Sequence, residues 1–172
     1  MLRAMRDDLA DRLIAASELH GDFVLSSGKR SSVYFDKFRF LTDPELLRDT
    51  ATAVAALLPE GITHVAAPEG AATLLVAAVA LQTGLAIAVV RKEPKPYGTR
   101  SQVEGHVPPG AEIALVEDVS TTGHQVLAAA RVLEVAGCHI GIVVLAIDRG
   151  GAEHLREAGY WVKSIVKVDP QD

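Results

Sequence analysis

The stretch Ile113-Ala114-Leu115-Val116-Glu117-Asp118-Val119-Ser120-Thr121-Thr122-Gly123, followed at once by a helical pattern from His124 to Ala136, constrains this chain more than any other. The run from Ile113 to Val116 has no polar interruption and reads as a buried parallel strand that ends in two carboxylates, Glu117 and Asp118. Ser120, Thr121 and Thr122 then supply three hydroxyls, Gly123 tolerates positive φ, and a nascent helix points backbone N–H groups outward. Such a loop is an anion cradle. Carboxylates beside it are able to hold sugar hydroxyls or water on a hard divalent cation, so a ribose phosphate fits both halves. The same residues also read as an ordinary βα turn, with Thr121 or Thr122 capping the helix and Gly123 making the turn. Neither G-x-x-x-x-G-K-[ST] nor G-x-G-x-x-G occurs, so no standard nucleotide motif decides between the two.

The rest of the chain sets the context of that loop. Leu2, Met5, Leu9, Leu13, Ile14 and Leu19 recur at helical spacing and predict a helix over 2–19, with Gly21 as its stop. Phe23-Val24-Leu25 and Val33-Tyr34-Phe35 read as two short strands around the basic, hydroxyl-rich turn 26–32. Asp43 caps a helix with Pro44 in its first turn, running to Leu58. Strands over 62–67, 85–91, 111–118, 139–148 and 160–168 then alternate with helices over 70–83, 124–136 and 151–158. That alternation predicts an α/β single domain with a mostly parallel sheet, helices on both faces, and ligands beyond the carboxyl ends of the strands. At one such end the small-residue loop Ala66-Ala67-Pro68-Glu69-Gly70-Ala71-Ala72 leads into a helix and can bring N–H groups close to an anion, or simply make a tight turn.

A second loop is chemically louder. Nineteen residues separate Arg91 from Ala111, with four prolines and no helical periodicity. Its first ten residues set Arg91, Lys92, Lys95 and Arg100 against Glu93 alone, in a chain whose net charge is −5. Long connections without secondary structure tend to be lids, so 92–110 reads as a mobile cationic lid for a polyanion.

Composition excludes several classes. The 172 residues, 49% hydrophobic, suit one domain with a full core, and the acidic balance argues against nucleic acid or a membrane surface as partner. The longest apolar run, within Ala71–Leu81, is too short to span a bilayer. The single cysteine, Cys138, reads as a buried small hydrophobe in a reducing compartment, and a cytoplasmic location is expected. The six histidines show no zinc-ligand spacing.

Phe23-Val-Leu-Ser-Ser-Gly-Lys, Arg91-Lys-Glu-Pro-Lys-Pro-Tyr-Gly, Val103-Glu104-Gly105, Val116-Glu-Asp-Val-Ser-Thr-Thr-Gly and Ile147-Asp148-Arg149, in that order and spacing, resemble the orotate phosphoribosyltransferases, a branch of the type I phosphoribosyltransferases. The likeness covers nearly the whole chain. It implies transfer of phosphoribose from 5-phosphoribosyl 1-pyrophosphate to orotate with Mg²⁺, giving orotidine 5′-monophosphate and pyrophosphate for pyrimidine synthesis. It also implies a homodimer whose lid is shared between subunits, and a division into an N-terminal hood and base-binding segment over 1–40 and an α/β core over 41–172.

Carried over by position, the resemblance places Val119 and Ser120 against the sugar donor and wraps Thr121, Thr122, Gly123, His124 and Gln125 around the 5′-phosphate. Glu117 and Asp118 take the ribose hydroxyls and, directly or through water, the metal. Glu69 and Gly70 sit in the pyrophosphate loop, and Arg91, Lys92, Lys95 and Tyr97 line the pyrophosphate. Ser26, Tyr34, Phe35, Thr121 and Arg149 fall at orotate. Lys95, Arg91 and Asp118 are the implied catalytic groups. The sequence departs from the family at Ser26, where some members have lysine, at Tyr97, where a histidine often stands, and at His124-Gln125, where small or hydroxyl residues are usual. Two further readings use the same residues: a phosphoribosyltransferase for another base, and a non-catalytic nucleotide sensor on the same fold.

Overall fold

Successive side chains of the central strands point to opposite faces, and each face finds its own helices. The computed structural model describes residues 2–24, 28, 30–95 and 101–168, and the side chains from residue 8 onward. A hairpin of β1 (Glu18–Val24) and β2 (Arg30–Phe35) follows α1 (Leu2–Ser17) and leads through the single turn α2 (Phe38–Leu41) into α3 (Pro44–Ala55). Then come β3 (His64–Pro68), α4 (Ala72–Thr83), β4 (Ala86–Val90), β5 (Val103–Glu104), β6 (Glu112–Ser120), α5 (His124–Val135), β7 (His139–Asp148), α6 (Gly151–Glu157) and β8 (Val162–Lys167).

The main sheet runs β5-β4-β3-β6-β7-β8 and is parallel throughout except for β5, which pairs antiparallel with β4. Val65, Ala67, Ala114, Val116, Ile142 and Val144 face one core, shared with Leu13, Phe40, Val54 and Leu75 of the first four helices. Their neighbours Ala66, Ile113, Leu115, Val143 and Leu145 face the other, with Val126, Leu133 and Leu155 of α5 and α6. The α/β expectation therefore holds, with a parallel sheet covered on both sides. Among the described residues no helix is long and apolar enough to cross a membrane.

Several boundaries differ for physical reasons. The first helix stops at Ser17 and Leu19 lies in β1, because Glu18 and Leu19 pair with Phe35 and Tyr34. Gly21 is no helix stop; it sits in the bulge between His20 and Phe23, where a Cβ would come within 3.1 Å of the Phe23 ring. Asp43 caps α3 as expected, its Oδ1 accepting the Glu45 and Leu46 amides at 3.0 and 2.9 Å. The long connection after β4 is not structureless: Val103 and Glu104 return to pair with Val90 and Val89. Cys138 is buried, which pushes its thiol up.

Candidate active site

Strand β6 continues two residues past the carboxylates, to Ser120, so Glu117 and Asp118 are inside the strand and not at its end. Pairing with β7 extends that far, Ser120 lying opposite Asp148, and the Arg149 amide donates to the Ser120 carbonyl at 2.8 Å. Glu117 and Asp118 are consequently 5% and 0% exposed. The Asp118 amide donates to Glu117 Oε1 at 3.2 Å, and the Val119 amide to Asp118 Oδ1 at 2.6 Å. Lys37, just before α2, donates its Nζ to Asp118 Oδ1 at 3.2 Å. Asp118 Oδ2 is buried with no hydrogen-bond partner.

Two adjacent buried carboxylates against one half-exposed ammonium leave a deficit of positive charge. Burial, and next the charge of Asp118, push the Glu117 carboxyl up to about 8. Hard oxygen donors, one of them unpartnered, suit a small divalent cation that completes its shell with water and a ligand's oxygens, so the pair fits Mg²⁺. The pH dependence follows from the shift. Below the ordinary value of 4.5 Glu117 carries its proton in both folded and unfolded chains; as pH rises through about 8 the folded protein must give it up, and the stability it contributes is lost. Thermal melts should show wild type losing stability relative to Glu117→Gln across that window. A difference independent of pH would exclude Glu117 as its source.

The loop after β6 is shaped by close approaches. Gly123 has φ 76°, and a Cβ there would stand 2.7 Å from the Gly151 carbonyl oxygen. A Cβ on Gly151 would in turn meet the Ser120 Oγ and Cβ, so the start of α6 fits against this loop only because glycine occupies both positions. Gly123 is the N-cap of α5 and makes no side-chain cap. Capping by Thr121 is absent, and Thr122 Oγ1 reaches only 3.5 Å from the His124 amide. Thr121 and Thr122 are exposed, Val119 is half-buried and Ser120 buried. Amides of the first helical turn have no intrahelical partner, so this end of α5 is open to an anion. His124 and Gln125 are exposed, and the His124 ring meets His154 of α6 edge-on at 5.0 Å.

The two described ends of the connection after β4 are held together by hydrogen bonds. Gln102 Nε2 donates to the Arg91 and Lys92 carbonyls at 2.9 and 3.1 Å, and the Arg91 amide donates to the Gln102 carbonyl at 2.8 Å. The Lys92 amide donates to Glu69 Oε1 at 2.8 Å, tying the lid to the small-residue loop after β3, where Gly70 has φ 132°. Arg91 lies 4.0 Å from Glu69 and 3.9 Å from Glu104, and Lys95 lies 2.6 Å from Glu104. A cleft of about 350 Å³ brings Pro68, Arg91, Lys92, Gln102, His124 and Gln125 together. A larger hollow of about 490 Å³, between the returning limb of the lid and α5, has none of the carboxylates in its wall and is mostly apolar.

At the other end of the site Arg149 stacks its guanidinium over the Phe35 ring at 4.3 Å. Its Nε is buried and unpartnered, and desolvation lowers its pKa against the opposing pull of Glu18. Tyr34 is separated from that pair. Strand alternation turns it to the other side of β2, where its ring packs on Phe23 at 5.5 Å. Ser26 and Tyr97 lie outside the described residues.

The structure thus gathers Glu69, Gly70, Arg91, Lys92, Lys95 and the 117–125 segment on one sheet edge, with Phe35 and Arg149 beside it. Sequence reasoning missed Lys37 and the role of Glu104. No pattern links Lys37 to a carboxylate 81 residues away. Glu104 was visible only as part of a Val-Glu-Gly motif.

No model of a protein family matches the chain. Curated relatives do. It is 42% identical over 169 residues to the orotate phosphoribosyltransferase of Thermococcus gammatolerans, covering 95% of this chain and 89% of that one. Against the enzyme of the same name from Methanopyrus kandleri it is 39% identical over 167 residues, covering 95% and 90%. The crystal structure of orotate phosphoribosyltransferase from Aeropyrum pernix superposes with a TM-score of 0.80 at 33% identity, covering 93% of both chains. Identity at that level along almost the whole length, on a shared fold and with the carboxylate pair, glycine loop and cation cluster in place, means that this chain belongs to the orotate phosphoribosyltransferases.

Proposed function

We propose that this site carries out its family's reaction in pyrimidine synthesis with the residues described above: phosphoribose passes from 5-phosphoribosyl 1-pyrophosphate to N1 of orotate. What supports the reading is that two buried carboxylates of β6, the uncapped start of α5 and the cations Arg91, Lys92 and Lys95 after β4 all lie toward the carboxyl ends of neighbouring parallel strands. The N1–C1′ bond forms as the C1′–O bond breaks, and pyrophosphate leaves with the electron pair. Positive charge grows on the ribose while negative charge grows on the leaving group, so positioning and electrostatics do most of the work.

Thr121, Thr122, Gly123, His124 and Gln125 surround the 5′-phosphate. Glu117 and Asp118 hold the ribose hydroxyls against the growing positive charge. Glu69 and Gly70 border the pyrophosphate, and Arg91, Lys92 and Lys95 neutralise it as it departs. Orotate lies toward Phe35 and Arg149, where the orphaned Nε is a donor in want of an acceptor; Tyr34, turned to the other side of β2 against Phe23, is not part of that end. Glu117 and Asp118 are the residues that would hold Mg²⁺, which when bound supplies charge neutralisation to the pyrophosphate oxygens. The β1–β2 hairpin within residues 1–40 serves as the hood, while Leu13 and Phe40 of the same segment pack into the core with 41–172, in a cytoplasmic enzyme.

A homodimer has its own support. Helix α4 carries no charged residue, and Leu74 and Leu81, two turns apart on one face, are 41% and 90% exposed. A helix apolar all round wants cover on every side, and a second copy supplies it without charge repulsion.

Mixing the protein with Mg²⁺, the sugar donor and a panel of purine and pyrimidine bases tests the reading. Orotate should be consumed, seen as loss of its ultraviolet absorbance, with the other bases inert. Preferential use of another base would replace it with a different phosphoribosyltransferase, and donor binding without turnover of any base would point to a sensor.

A further inference from the structure

We infer that Glu104 is a positioning residue: an internal counter-anion that holds Lys95 and Arg91 at the cleft and yields them to pyrophosphate. The inference rests on the pyrophosphate-clamp reading of those two cations. Its basis is a difference in how firmly the partners are held.

Glu104 is built into the sheet. It pairs with Val89 across the β4–β5 ladder, and the next residue, Gly105, has φ 104° with its Cα so close to β4 that a Cβ would stand 2.5 Å from the Ile87 carbonyl oxygen. Only glycine fits there, so the backbone carrying Glu104 cannot follow the lid. Lys95 is held far less. It follows Pro94, and its amide reaches the Ser101 carbonyl at 3.4 Å, the long limit of a hydrogen bond.

The charges close on themselves. Lys95 and Arg91 stand 2.6 and 3.9 Å from Glu104, and Arg91 stands 4.0 Å from Glu69. Two cations and two carboxylates make a neutral quartet with every side chain about a quarter to two-fifths exposed. Ion pairs that wet are weak, worth about 0.2–1 kcal/mol. They are strong enough to gather two long side chains at the cleft mouth and too weak to resist a multivalent anion. Pyrophosphate arriving at the cleft therefore exchanges for Glu104 on Lys95, and Glu104 reclaims the lysine when the product leaves. The same carboxylate shortens the search for the bound geometry and limits how tightly pyrophosphate is retained.

Titration calorimetry with inorganic pyrophosphate alone, without turnover, tests this on wild type, Glu104→Gln, Lys95→Met and the double variant. Glu104→Gln keeps the shape and removes the charge, so it should bind pyrophosphate about 1.4- to 5-fold tighter, the factor that matches a pair of that strength. Its inhibition constant for product pyrophosphate should fall by the same factor. In the Lys95→Met background the gain should shrink, since the lysine that Glu104 withholds is gone. Unchanged or weaker binding by Glu104→Gln, in a variant whose circular dichroism matches wild type, overturns the inference, as does an equal gain with and without Lys95. The two layers separate: if Lys95→Met binds pyrophosphate as well as wild type, the clamp reading falls and this inference with it. If Lys95→Met weakens binding and Glu104→Gln does not strengthen it, only the counter-anion role is lost.

Discussion

Replacing Lys95 with alanine lowers kcat by about 10²–10³-fold, the range typical of removing one preorganised charge from a developing anion, and leaves orotate affinity essentially unchanged. Lys95 is on the lid limb, paired with Glu104 at the sheet edge, while the Phe35–Arg149 pair belongs to the hairpin and the end of β7. Its charge gains most from the transition state, when pyrophosphate takes the electron pair, less from the ground state of the sugar donor, and nothing from orotate. A loss confined to kcat is the signature of an interaction made at that moment. Steady-state kinetics with both substrates varied, together with calorimetric orotate binding, checks it. Parallel losses in turnover and orotate affinity would move Lys95 from the leaving group to the base.

Asp118→Asn should be as damaging, by about 10²–10³-fold in kcat/KM, with a melting temperature close to wild type. Asparagine has nearly the volume of aspartate, and this side chain is fully buried, so packing is preserved while the charge disappears. On the proposed reading the lost charge matters chemically because Asp118 faces the ribose as it becomes electron-poor, while burial pushes its neighbour Glu117 up to about 8 and keeps that group protonated near neutral pH. Stability is spared because Lys37, its partner at 3.2 Å, is 39% exposed and can turn to water. Relieving the crowding of two buried carboxylates offsets the lost ion pair. Kinetics paired with calorimetric melts decides the case. A variant that loses stability in step with activity would make Asp118 a structural residue.

Much of this architecture was readable from residue order. Uninterrupted apolar runs and helical spacing place nearly every strand and helix of the main sheet within a few residues, because a strand buried on both faces is apolar throughout and a helix buried on one face repeats its apolar residues at 3.6. The loop that joins the carboxylate strand to α5 was readable for a related reason: Glu117 through Gln125 are contiguous, so one stretch of chain builds one end of the candidate site. What failed is equally physical. Leu19 fits a helical period yet is claimed by strand pairing with Tyr34. The lid's proline-rich sequence hides a two-residue strand, because so short a ladder has no periodicity to detect and depends on β4 being there.

The sequence by itself determined the layers, the strand that carries the carboxylates, the glycine that opens the anion loop and the family to which these belong, since all of those are properties of short contiguous segments. Only the tertiary structure decided that Lys37 answers Asp118, that Arg149 lies over Phe35 while Tyr34 turns away, and that Glu104 gathers the lid's cations. Each of those contacts joins distant or oppositely directed side chains. Their energies arise from distance and burial, which exist only after the sheet has brought its edges and crossovers together.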